Sequence, residues 1–324
     1  MKRVFFAFLI LISFQNIHAQ YTDIINSKRP GFSESPYSVG TNVYQFETGL
    51  FYQDSNTKNL LESTNTFGGE LFFRFSKFIE RLEVNLHVAY QKDDINNLKD
   101  IVSHIDPLEE FNNSTPRFTS SIKGISRFTI GAKYLIYEQI FEDKSKEIRS
   151  WKARNAFDKK RLIPSVGIYG GVNTNFLSDD YKKEGLTFKG AVLLQNDFSD
   201  RLVVLTNLIV DDITAENMLY SYIVTMTYAI NRNWSFFIEN VGEYQNTFSP
   251  NYQIGTGAAY LFSPDLQIDA SVRTNLFQEY SYVFASAGIS WRLNKHQDAL
   301  IENNSPNYKA KNKKGFFSRL FGKN

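Results

Sequence analysis

Residues 81–91, RLEVNLHVAYQ, divide into two opposite faces when every second position is taken. Leu82, Val84, Leu86, Val88 and Tyr90 fall on one side; Arg81, Glu83, Asn85, His87 and Gln91 fall on the other. Side chains alternate across a strand, so the segment reads as a β-strand lying between an apolar phase and a wet polar one. Two settings satisfy it. In a soluble sandwich the apolar face meets a second sheet; in an outer-membrane barrel it meets lipid while the polar face lines the lumen.

The same alternation recurs along the chain. From Val43, residues Tyr44, Phe46, Leu50 and Tyr52 oppose Gln45, Glu47 and Gly49; further on, Phe67 to Phe75 oppose Thr66, Glu70 and Arg74, and Phe128 to Ile136 oppose Arg127, Thr129 and Lys133. Further strands are predicted at 162–173, 186–197, 201–210, 218–229, 234–242, 251–262, 265–275 and 281–293. The total is about twelve, an even number, as bacterial barrels have. Segment 201–210 is the weakest, being apolar on both faces.

The links decide between the two settings. Even-to-odd links include the short Ser199-Asp200, Asn231-Arg232-Asn233 and Ser263-Pro264, whereas the odd-to-even links 54–64, 92–124, 174–185 and 243–250 are longer and polar. Short turns at one end and long loops at the other describe an outer-membrane barrel with its turns in the periplasm. Link 138–161 breaks the rule: it is dense in charge, carries Phe141, Ile148 and Trp151, and falls on the periplasmic side. Either it forms a helix there or the strand count is off by one.

Composition agrees with strands rather than membrane helices. Aromatic residues make up 15% of the 324 residues, with 29 Phe and 18 Tyr, yet the mean hydropathy is −0.33. Polar residues therefore interleave the apolar ones, as alternating strands require. The absence of Cys excludes disulfides, thiolate metal sites, Cys nucleophiles and a lipidated N-terminal Cys. A net charge of +2 gives no general attraction to nucleic acid. Tyr44, Tyr52, Tyr90, Trp234, Tyr260, Tyr282 and Trp291 fall near predicted strand ends, where aromatic rings favour the membrane interface.

Outside the strands the chain divides simply. Residues 1–19, with Lys2 and Arg3 ahead of an apolar run and Ile17-His18-Ala19 before Gln20, read as a cleaved export signal. The rival, a membrane anchor, needs a longer apolar run. Residues 20–42 hold two prolines and two glycines and read as an arm, predicted to contact the lumen through Arg29 and Glu34. The barrel is predicted over 43–293. Residues 294–324 form a basic periplasmic tail, seven Lys/Arg against two acidic residues, ending in an amphipathic GFFSRLFGK stretch.

The arm and first strand, RPGFSESPYSVGTNVYQFETG (29–49), and the closing segments LFSPDLQIDASV (261–272) and FASAGISWRL (284–293) resemble the transporter family named for the meta-pathway of phenol degradation. That resemblance implies outer-membrane passage of small molecules; the name reflects genetic context and specifies no phenolic solute. Link 138–161 and the basic tail depart from the pattern.

The fold expected is thus all-β, a transmembrane antiparallel up-and-down barrel of about twelve strands in the outer membrane of a Gram-negative bacterium. Its lumen-facing groups are expected to be Glu47, Glu70, Arg74, Arg81, Glu83, His87, Arg127, Lys133, Lys189, Glu239, Asp269, Arg273 and Arg292. They can pair across strands or set a transverse field for small solutes. His87, beside Glu83, is the sole histidine on a predicted strand, and the lumen serines Ser271 and Ser286 cannot be brought to it from sequence. No enzyme, no metal site and no cofactor is expected, because His104 and His296 lack ligand spacing and no phosphate-binding loop is present. The expected partners are outer-membrane lipid and a small solute. The alternative is a non-conducting anchor that docks a periplasmic protein through the tail and 138–161.

Overall fold

The computed structural model describes residues 24–57, 62–97, 118–140, 158–183, 185–215, 217–245, 248–276 and 280–296. The export signal, most of link 138–161 and all but the first three residues of the tail lie outside them. Twelve strands run β1 (Val43–Thr57), β2 (Glu62–Ser76), β3 (Leu82–Asn97), β4 (Phe118–Tyr137), β5 (Ser165–Asn173), β6 (Thr187–Asp197), β7 (Leu202–Ile213), β8 (Leu219–Ala229), β9 (Trp234–Gln245), β10 (Phe248–Ser263), β11 (Leu266–Leu276) and β12 (Tyr280–Asn294). Each pairs antiparallel with its sequence neighbour, and β1 pairs with β12, from Val43↔Asn294 to Thr57↔Tyr280, so the sheet closes without an edge. β4 pairs directly with β5. The strand count therefore holds at twelve, and 138–164 connects two neighbours at the short-turn end.

Polarity is inverted relative to a soluble protein. Glu47, Glu83 and Lys133 are 0% exposed, whereas Leu50 is 60% and Phe67 58% exposed. A face that leaves such side chains uncovered on every strand is stable only against hydrocarbon. Aromatic residues gather near the short-turn rim: Phe46 lies between Phe73 (4.7 Å) and Trp291 (5.8 Å), and Trp234 lies 4.9 Å from Tyr260. Leu208, Val224 and Ile238 occupy the outward face between the two ends. Ile238→Arg should lower folding stability in lipid vesicles by about 2–4 kcal/mol, read from urea midpoints, whereas an Arg at lumen-facing Thr227 should cost far less. Equal losses at both sites would contradict the lipid-facing assignment.

The strands overrun the alternation. At the odd-to-even end β1, β2, β3 and β4 continue through polar stretches such as Gln91–Asn97, and β9 and β10 leave only residues 246–247 between them. The described residues of the expected loops at 54–64, 92–124 and 243–250 are thus strand. Past the bilayer both faces meet water, so the ladder hydrogen bonds persist while the apolar periodicity that marks a strand in sequence is lost. At the other end, β5 begins at Ser165 rather than 162, after a short 3₁₀ turn at Lys159–Leu162.

Candidate functional site: the lumen and its arm

Residues 24–42 lie inside the barrel near the short-turn end. The backbone N–H of Ile25 donates to Pro264 O in the β10–β11 turn at 2.8 Å, Ser38 Oγ donates to Glu80 O in the β2–β3 turn, and the Tyr37 hydroxyl meets Ser165 Oγ at 2.6 Å. Gly40 (φ 91°) and Asn42 (φ 62°) then turn the chain out of the lumen into β1. Both sit in the left-handed region that Gly and Asn tolerate.

Wall carboxylates hold the arm through its backbone. Glu47 Oε2 accepts from the N–H groups of Lys28 (3.0 Å) and Arg29 (3.3 Å) and from Ser27 Oγ (3.0 Å). Glu239 Oε2 accepts from the N–H groups of Phe32 (3.0 Å) and Ser33 (3.2 Å), and Glu83 Oε2 from Val39 (3.0 Å). Asn207 brackets Glu34, accepting from its N–H at 2.6 Å and donating to its carbonyl at 2.9 Å. An arm without regular structure thereby satisfies its buried backbone groups on the wall.

The arm's own charges are also matched. The Arg29 guanidinium pairs with Glu70 and, at 3.2 Å, with Asp269. It fits because Gly49 and Gly288 face each other across β1 and β12, and a Cβ on either would overlap the guanidinium. Glu34 pairs with Lys133 (3.1 Å) and Lys28 (3.6 Å). Burial pushes the Glu34 carboxyl up, but Lys133, Lys28 and Arg74 outweigh it and hold the group well below the usual carboxylate range. A depressed folded pKa gives stabilisation that is complete above the ordinary value of 4.5 and is lost as pH falls from there toward the folded value. The Glu34 anchor should therefore be indifferent to pH between about 8 and about 5 and weaken only below about 4. Accessibility of a cysteine placed at Asn26, whose described bonds run through its backbone carbonyl, followed by thiol labelling across that range, checks this. Exposure of the arm near neutral pH would contradict it.

The remaining predicted lumen residues fall into three groups. Arg74 joins Glu83 (Nε to Oε1, 2.8 Å; Nη2 to Oε2, 3.0 Å) to Glu47 (2.8 Å) and also donates to Asn26 O, while Lys133 reaches Glu83 at 3.3 Å. Arg273 pairs with Glu239 and lies over the arm's Phe32 ring, 3.3 Å from its centroid. Lys189 pairs with Asp211 at 2.8 Å. Two groups sit at the short-turn rim instead of the middle of the lumen: Arg81, 3.7 Å from Glu138, and Arg292, 2.7 Å from Asp265. Arg127, in contrast, is exposed to the lumen and makes no ion pair among the described residues.

His87 differs from the sequence expectation in its partner. It stacks on Phe72 (3.8 Å) and lies 3.6 Å from Glu70 on β2, since cross-strand register places Phe72 opposite it. Ser271 and Ser286 bond each other at 2.9 Å. Asn207, Asp211, Glu243 and Asp93 were missed as lumen groups. The first two lie on β7, whose apolar residues on both faces hide the polar ones, and Asp93 lies on an overhang. Extending each strand's parity beyond its apolar run reaches Asp211, Glu243 and Asp93, whereas Asn207 sits inside a segment apolar on both faces.

A cavity lies on each side of the arm. One, of about 550 Å³, opens toward the short-turn end among Ser27, Ser35, Asp197, Val203, Thr225 and Gln267. The other, about 780 Å³, lies toward the long-loop end. There the Tyr181 hydroxyl, on the β5–β6 loop, donates to Asp93 at 2.9 Å and draws that loop over the mouth.

A closed twelve-stranded barrel with a lipid-facing apolar surface and a charged lumen defines an outer-membrane β-barrel protein. The profile of the family described as "Putative MetA-pathway of phenol degradation" matches residues 27–293, and the chain belongs to that family. No curated protein sequence matches it. Among solved structures, the COG4313 outer membrane channel from Pseudomonas putida F1 superposes with a TM-score of 0.53 at 9% identity, covering 83% of this chain and 100% of that one. The Pseudomonas putida toluene transporter TodX gives 0.43 at 10% identity, covering 85% and 98%. The CymD monoaromatic hydrocarbon channel gives 0.41 at 12%, covering 79% and 90%. At these identities the likeness is one of fold.

Proposed function

We propose that solutes cross this barrel by a narrow, charge-lined route that the arm holds shut, and that passage requires the arm to shift. The observation that carries this reading is the arm's position, bonded to opposite walls with a cavity on either side. An arm held largely by hydrogen bonds from its backbone to wall carboxylates, with Ile25, Pro36 and Val39 as its buried apolar contacts, can exchange the polar partners for water one at a time. Opening therefore uncovers a few apolar side chains, Ile25, Pro36 and Val39 among them, and otherwise polar groups. The lumen carboxylates act here as anchors for the arm, and Arg127 together with the Lys189–Asp211 pair sets the field met by an entering solute. Among the described residues no lumen group has the arrangement of a nucleophile with its base, and the protein is read as a channel rather than an enzyme.

The test is conductance of the full-length mature protein in planar bilayers. Small, stable conductance is expected, rising when the arm is removed. Absence of conductance in both forms, despite a folded heat-modifiable barrel, would defeat the channel reading in favour of the docking role. No observation among the described residues favours that role.

A further inference from the structure

The cavity on the long-loop side of the arm is not a uniformly polar water pocket. On the β6–β9 wall, Leu193, Ile209, Ile223 and Val241 all face inward, and Ile223 and Val241 are direct cross-strand neighbours. Leu193 and Ile223 flank Asn207 in the strand register, and the arm's Glu34 backbone bonds Asn207. Elsewhere in the cavity Phe51 and Phe284 stack at 5.7 Å, with the arm's Phe32 5.3 Å from Phe284. Leu193 is 1% exposed, and only the tips of Ile223 and Val241 meet the cavity, beside the half-buried Ile209; apolar surface at the edge of a hydrated lumen gains by being covered.

The charges lining the same space are nearly all neutralised. Lys28 pairs with Glu34, Lys189 with Asp211, Arg74 with Glu47 and Glu83, Arg273 with Glu239, and Glu70 with Arg29. Two groups remain without an ion pair among the described residues. Arg127 on β4 makes no hydrogen bond there either, whereas Glu243 on β9 is engaged at Oε2 by the amides of Asn251 (3.0 Å) and Gln253 (3.1 Å). The exposed guanidinium is therefore the cation in the cavity that is free to take a solute's charge, and its planar fork suits a carboxylate.

We propose that this cavity is a subsite for a small amphipathic organic anion, a monocarboxylate whose carboxylate pairs with Arg127 and whose apolar body lies against Ile209, Ile223 and Val241. The inference rests on the channel reading and adds a solute class to it. About 780 Å³ accommodates a molecule of six to ten heavy atoms with its water, within the usual range of ligand pockets. The paired charges around it resist inorganic ions of either sign, and the apolar patch disfavours sugars.

The test measures binding of hexanoate, hexylammonium and hexanol to the full-length barrel in detergent by calorimetry, with flux into liposomes measured separately. Hexanoate should bind more tightly than the other two. Arg127→Gln should weaken it at least tenfold, and Arg127→Lys should recover part of the loss. Ile223→Asn should weaken hexanoate while leaving acetate unchanged. Unaltered hexanoate binding in Arg127→Gln, or tighter binding of hexylammonium, would overturn the proposal, the latter making Glu243 the anchor. Hexanoate binding without flux would uphold the subsite and defeat the channel reading. Flux without hexanoate selectivity would do the reverse. A heat-modifiable band in every variant establishes that each is folded.

Discussion

Deleting residues 24–39 should convert a barrel of low conductance into an open pore, with single-channel conductance rising roughly fivefold or more, because the removed segment is bonded across the lumen to β9 and β3. The barrel should still fold. Its closure rests on twelve paired strands, and the carboxylates released by the arm, Glu47, Glu83 and Glu239, become hydrated once the lumen fills. The complementary experiment locks the arm. Ser27 Oγ and Ser290 Oγ are 2.7 Å apart, and the chain contains no cysteine, so Ser27→Cys with Ser290→Cys places two thiols within disulfide reach and no others. The arm would then be fixed at Ser27 as well as where it enters β1. Oxidised, this variant should conduct no more than background, and a reductant should restore the native level. A locked barrel passing ions at the native rate would show that the arm need not move.

Arg74→Met should be among the most destabilising single substitutions in the protein, at about 3–5 kcal/mol, since it leaves buried charges without their partner. The side chain is 3% exposed and bonds two carboxylates that are each 0% exposed. Glu83 keeps Lys133 at 3.3 Å, whereas Glu47 keeps only Gln45 and the arm's N–H and hydroxyl groups. The arm also loses the bond from Arg74 to Asn26 O. Arg74→Lys should recover little, because an ammonium cannot serve Glu83 with two parallel bonds and reach Glu47 as well. Adding Glu47→Gln to Arg74→Met should return part of the loss by removing the orphaned charge. Urea midpoints in lipid vesicles would measure this. A change below about 1 kcal/mol would mean the carboxylates are already hydrated, as at a surface.

The legible part of the site was its facing, not its pairing. Parity along each strand is local, so Glu47, Glu83, Lys133 and Glu239 could be assigned to the lumen from their neighbours in sequence. His87 illustrates the limit: Glu83 is its neighbour on β3, but Glu70 on β2 is its partner, and only register between strands decides that. The two residues at the rim, Arg81 and Arg292, share the parity of the rest and differ only in height, which parity does not carry.

By itself the sequence determined the barrel. Period-two alternation, an even strand number near twelve and short turns at one end follow from local chemistry, because lipid on one face and water on the other act on each strand independently. Only the tertiary structure decided what fills the lumen. Glu34 meets Lys133 across a separation of nearly a hundred residues and Arg29 meets Asp269 across 240, in an arm whose prolines and glycines say only that it is irregular. Tertiary structure also decided how far the strands run beyond the bilayer, since backbone pairing continues there after the apolar signal has stopped. Lipid imprints its demand on every second residue of a strand, whereas closure of the lumen is a bargain among residues that meet only once the barrel has formed.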